Sequence, residues 1–299
     1  MTKIFVLHKF KELKSFLYVF LLVILTTSGQ AQKQNQKKLN LDTILQESKS
    51  IFTQGKRKEA ILKLNEALIL TKSKKQQSQI LAKRTLFSEQ FFTSEAFQKY
   101  ELAKSFAQAA RWQDCLREIE LVSQTDLNNI LVLRIKSLCQ IKLPQMNDAL
   151  KSIQEILEFF PDDFEANLNK VEISLIQLSP LNGLGILEKI EPKTSLEVER
   201  IVIFKAKLLE MLGRSSEAVD VLRKDQETYL EHIEVLYELG TLYSRISGND
   251  WLSRKFLLLF ISRCKRIPQV ELKKRSFDLL IPKTQALLLE IDKRLGIDK

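Results

Sequence analysis

The chain has 299 residues, 44% apolar and 28% charged, a mixture that can bury a core and need not be disordered. Only 8 glycines and 6 prolines are present, too few for the turns of an all-β or dinucleotide-binding fold, so long helices with tight connections are expected. The formal net charge of +10 fits an acidic partner or an anionic surface, but the charges are mixed along the chain, as on a solvated helical exterior.

The first element is a targeting segment. Lys3, Lys9, Lys11 and Lys14 precede ten uninterrupted apolar residues, Phe16 to Leu25, and then Thr26-Thr27-Ser28-Gly29-Gln30-Ala31. Basic, apolar and small-residue regions in that order form a secretory signal peptide, with the cut expected after Ala31. The other reading is a retained membrane anchor. An apolar helix of this length spans roughly 15–18 Å, short of a ~30 Å hydrocarbon core, which favours cleavage. Residues 32–40 are polar and read as a leader to the mature domain. Export to a periplasm or cell envelope is therefore expected.

From residue 41 onward a repeat emerges. A small residue followed four positions later by a large apolar one recurs as Ala60/Leu64, Cys115/Ile119, Ala149/Ile153, Ala218/Leu222 and, more loosely, Leu252/Phe256. The intervals are 55, 34, 69 and 34 residues, and a further step of 34 from Ala149 reaches Gly183/Leu187. Twelve residues before each small position, a preceding helix carries Ser48, Ala103, Ser137, Val171, Ala206 and Gly240, five of them small. Helices crossing at about 8–10 Å leave no room there for a long side chain. Residues 76–92 interrupt the period and read as an extra helix, with Thr93 capping the next one.

The motif Leu236-x2-Leu239-Gly240-x2-Tyr243, the turns Gly55 to Ala60 and Gly213 to Ala218, and Pro161 after the Ala149 helix carry a family likeness. The chain resembles tetratricopeptide repeat proteins over residues 41–267, with degenerate repeats. The resemblance implies an all-α, right-handed superhelical solenoid of antiparallel helix pairs. Residues 268–299 then supply two helical stretches, Val270 to Leu280 and Thr284 to Leu295, that would close the apolar end.

Chemistry is sparse. The only histidine beyond the targeting segment, His232, reads as a capping or surface residue. No phosphate-cradling, nucleophile-elbow or zinc-protease motif occurs, and no metal or cofactor is expected. Cys115, Cys139 and Cys264 read as small buried apolar residues. A Cys115–Cys139 bridge would need an oxidising compartment and Cα atoms within ~7 Å.

The resemblance further implies a concave groove lined by first helices, with Tyr100, Lys104, Arg134, Leu138, Lys207 and Tyr237 as candidates for holding a protein or peptide partner. The family's chaperone-tail clamp is not reproduced at Leu45, Tyr100 and Arg134 or at Lys49, Lys104 and Leu138. A basic stretch, Arg254, Lys255, Arg263, Lys265, Arg266, Lys273, Lys274 and Arg275, contains only Glu271 as an acid and suits an anionic membrane surface or an acidic protein. Nucleic acid is a poor match for an exported chain. A non-catalytic interaction scaffold is the expected role. A membrane-anchored accessory subunit of an envelope assembly is second, and an enzyme with an α-solenoid body third.

Overall fold

The computed structural model describes residues 41–297; the targeting segment and leader lie outside them. The described residues form fifteen helices and no strand. They divide into two compact units, the first ending at Phe92 and the second starting at Thr93.

The first unit holds α1 (Leu41–Thr53), α2 (Arg57–Leu70) and α3 (Lys74–Glu89). Ser48 of α1 and Ala60, Ile61 and Leu64 of α2 are fully buried, as expected of a close crossing flanked by larger apolar groups. α3 packs on both helices. Phe87 stacks on Phe52 with ring centres 4.3 Å apart. Arg57 is buried too, its Nε donating to the Phe87 carbonyl at 2.9 Å and its guanidinium lying 4.3 Å over the Phe92 ring. It thus satisfies a carbonyl of the last turn of α3, which has no partner within the helix.

The second unit is a run of antiparallel pairs: α4 (Ser94–Gln108) with α5 (Trp112–Thr125), α6 (Ile130–Lys142) with α7 (Met146–Phe159), α8 (Phe164–Ile176) with α9 (Pro180–Leu187), α10 (Ser195–Met211) with α11 (Ser215–Thr228), and α12 (Ile233–Arg245) with α13 (Asp250–Cys264). The short α14 (Gln269–Lys274) and the long α15 (Phe277–Arg294) follow, with α15 packed on α13. Each first helix also touches the next first helix, so α4, α6, α8, α10 and α12 lie side by side. Several first helices start on side-chain caps, whereas the second helices do not. Thr93 accepts from the Ala96 amide, Asp163 from the Ala166 amide at 2.8 Å, and Thr194 forms a reciprocal capping box with Glu197.

The small-residue positions sit where two helices cross. Ala103, Ser137, Cys115, Ala149 and Ala218 are fully buried. The last pair departs from the expected register. Leu252 is 39% exposed, whereas Ser253 is fully buried and donates to the Gly240 carbonyl at 2.7 Å. The hairpin turn is one residue longer, with its left-handed residue at Gly248 (φ 77°). One extra turn residue moves every following contact by one position, so Ser253/Leu257 replaces Leu252/Phe256 as the crossing pair.

Cys115 and Cys139 are bonded, with Cα atoms 6.6 Å apart, so the separate-thiol reading is corrected for these two. Packing α5 against α6 brings the two buried sulfurs within reach. Cys264 is free and buried; burial pushes its thiol up to about 11, and it acts as a small packing residue. The bridge closes a sequence separation of 24. Reduction should cost about 3 kcal/mol, read as a lower urea midpoint in dithiothreitol. The Cys115→Ser/Cys139→Ser protein should match that midpoint and ignore the reductant. An unchanged midpoint on reduction would remove the bridge from the stability account.

Candidate interaction surface

The neighbouring first helices are joined by ion pairs between one repeat and the next. Lys142 of α6 reaches Glu172 of α8 at 2.7 Å, and Arg134 of α6 binds Asp163 at the start of α8. Arg200 of α10 holds Glu165 of α8 through its two terminal guanidinium nitrogens. Lys207 of α10 meets Glu238 of α12 at 2.8 Å, and Arg245 of α12 meets Glu210 of α10. Burial works against the Lys207 charge, but Glu238, with Glu234 and Tyr237, more than offsets it and holds the ammonium above its ordinary range.

Two of the six groove candidates, Arg134 and Lys207, are members of this ladder. A guest carboxylate there would compete with Asp163 and Glu238. Lys104 pairs with Glu101 at 3.1 Å on its own helix and lies 5.8 Å over the Tyr100 ring, which is itself buried. Leu138 is half-buried. Tyr237 is half-buried and packs on Phe260 at 5.5 Å. All six lie on α4, α6, α10 and α12.

Sequence reading did not find a cavity of about 630 Å³ in the first unit, between α1 and α3. Leu45, Ala82 and Leu86 give it apolar walls; Asp42, Lys49 and Lys83 are among its polar lining. In the sequence, Leu45 and Lys49 stand out only as clamp positions. The α3 side lies in the stretch that breaks the period, so no repeat-based signal marks it.

A polar cluster between α10, α11 and α12 was also missed. His232 is 1% exposed, neither a surface residue nor a side-chain cap. Its Nδ1 lies 2.8 Å from Asp225 Oδ2 and its Nε2 lies 2.8 Å from Ser195 Oγ. Ser195 in turn donates to Glu231 Oε1 at 3.0 Å. His232 thus bridges Asp225 and Ser195, the donor and acceptor roles of its two ring nitrogens being set by its tautomer. Such a pattern staples three helices together. Burial pushes the Asp225 carboxyl up, with His232 partly offsetting it.

Beside this staple, Glu199 of α10 is 1% exposed. Its Oε1 accepts the Glu234 amide at 2.9 Å and its Oε2 accepts from Arg275, 76 residues away. Burial pushes Glu199 up and Arg275 pulls it partly back. Glu234 is also pushed up, first by burial and then by Glu238.

Three of the eight basic residues near the C-terminus are engaged in ion pairs. Arg275 is consumed by Glu199, and Arg254 donates to Asp292 of α15 at 2.7 Å. Lys274 stands 3.6 Å from Glu271. Lys255, Lys265, Arg266 and Lys273 are exposed, Arg263 is half-exposed, and among the described residues no ion pair reaches these five. No group of three or more metal-ligating side chains stands together among the described residues.

No protein-family model and no curated protein matches the sequence. Solved structures do. PilW, a widely conserved type IV pilus biogenesis factor, aligns at 16% identity over 69% of this chain and 94% of its own, with a TM-score of 0.50. The chain has a tetratricopeptide-like fold. A tetratricopeptide repeat protein of Parabacteroides merdae (14% identity, 85% and 91% covered, TM-score 0.48) and the tetratricopeptide protein TTC0263 of Thermus thermophilus (15%, 65% and 99%, 0.48) are also similar.

Proposed function

We propose that the chain is an exported, non-catalytic scaffold that holds an extended or helical segment of an envelope protein against its row of first helices. The observation that carries this is the side-by-side packing of α4, α6, α8, α10 and α12, a broad face dressed with alternating charges and half-buried Leu138 and Tyr237. Such a face suits a segment bearing carboxylates and an apolar anchor. The Cys115–Cys139 bridge supports export, because disulfides persist in oxidising compartments. The cavity between α1 and α3 offers a second seat of the same chemistry.

The test is affinity capture from envelope extract with the full chain, followed by Arg134→Glu and Lys207→Glu. One defined protein should be retained, and each variant that keeps its helical circular dichroism should hold it at least about 10-fold less tightly. No retained protein under mild conditions, or retention indifferent to both changes, would sink the groove reading. Labelling of Ser195 by a fluorophosphonate would overturn the non-catalytic part. A membrane-anchored role in envelope assembly is the second reading, and it requires the apolar run at residues 16–25 to be retained. N-terminal sequencing decides it, since a start at Gln32 removes the anchor.

A further inference from the structure

We propose that the outward stripe of α13 docks on an anionic lipid surface. α13 has three sides. Ser253, Leu257, Phe260 and Cys264 are buried, with Phe260 and Cys264 packed against Leu236 of α12. Asp250 and Arg254 are tied to α15, Asp250 to Arg294 at 2.7 Å and Arg254 to Asp292. The third side carries Trp251, Lys255, Leu258 and Ser262, spaced four, three and four residues apart on one face. Trp251 is 63% exposed and Leu258 42%.

Arg263, Lys265 and Arg266 extend the charge beyond the apolar half. The Asp250 carboxylate is held by Arg294, and Glu271 lies beside Lys274. An exposed indole and leucines next to free cations match a membrane interface, where the ring sits at headgroup level and the cations meet anionic lipid. No helix among the described residues is long and apolar enough to cross a membrane, so the contact is peripheral. This surface is distinct from the first-helix face, and the inference stands apart from the groove reading.

The chain has two tryptophans. In a full-length Trp112→Phe protein, Trp251 alone reports. With vesicles of equal phosphatidylglycerol and phosphatidylcholine its emission should move to the blue and be quenched by brominated lipid, and phosphatidylcholine alone should do neither. Combined Lys255→Glu, Arg263→Glu, Lys265→Glu and Arg266→Glu should weaken vesicle binding by about 100-fold or more. A separate Leu258→Ser variant should reduce the quenching, with thermal melts confirming that both proteins fold.

Vesicle binding with an unmoved Trp251 signal would place the lipid contact elsewhere in the chain and overturn the proposal. An equal response to neutral vesicles, or indifference to the four charge reversals, would overturn it as well. Binding to polyglutamate with no vesicle response would replace the lipid with an acidic protein.

Discussion

Replacing Arg275 with alanine should destabilise the second unit by about 4 kcal/mol, the cost of leaving a buried carboxylate without its partner. Glu199 is almost fully buried, and one of its oxygens faces only the Arg275 guanidinium. That guanidinium also lies 4.4 Å over the Phe277 ring, so its loss loosens the start of α15 as well. The effect must depend on pH, with a definite sign. Burial already raises the Glu199 carboxyl, and removing Arg275 raises it further. For an acid whose folded-state value is raised, stability is fully present below the unfolded-state value and is lost as pH rises through the folded one. Urea melts should therefore show a wide gap between wild type and variant at pH 8 that narrows toward pH 5. A gap that is constant across that range would show that Glu199 is not the group left stranded.

Gly240→Val should cost about 3 kcal/mol through overpacking. Even the first added carbon would lie 2.5 Å from Leu257 Cγ and Cδ2 and 3.2 Å from the Leu257 amide nitrogen. Leu257 is fully buried, so a rotamer change has nowhere to go and α12 must move away from α13. Gly185 in α9 is the control. A side-chain carbon there meets nothing within 4 Å, and Gly185→Ala should stabilise by up to about 1 kcal/mol through helix propensity alone. Thermal melts of the two proteins should move in opposite directions. If Gly240→Val melted with wild type, the close crossing that defines the last pair would be refuted.

That crossing is also what made the fold legible. Small residues recur wherever backbones approach, so Ala103, Ser137, Ala206 and Gly240 announced paired helices without any strong motif. The slip from Leu252 to Ser253 was not legible, because a turn one residue longer leaves the composition of both helices unchanged. Nor was the Cys115–Cys139 bond: a pattern along one helix does not say how close α5 comes to α6. The polar cluster was hidden for the same reason. Ser195 and His232 are 37 residues apart, and neither has a local motif. A signal did exist in the spacing. Glu165 with Arg200 and Glu210 with Arg245 are each 35 residues apart, as are Glu199 and Glu234, which share a hydrogen bond. Searching for opposite charges one repeat apart would have shown that Arg200 and Arg245 are partnered.

The sulfur bridge also sets how the chain yields to mechanical load. Tension applied at its two ends would peel helices away one by one, but the 24-residue separation between the bonded cysteines could not be drawn out. At roughly 3.5 Å per residue, about 80 Å of contour stays locked until a thiol attacks the bond.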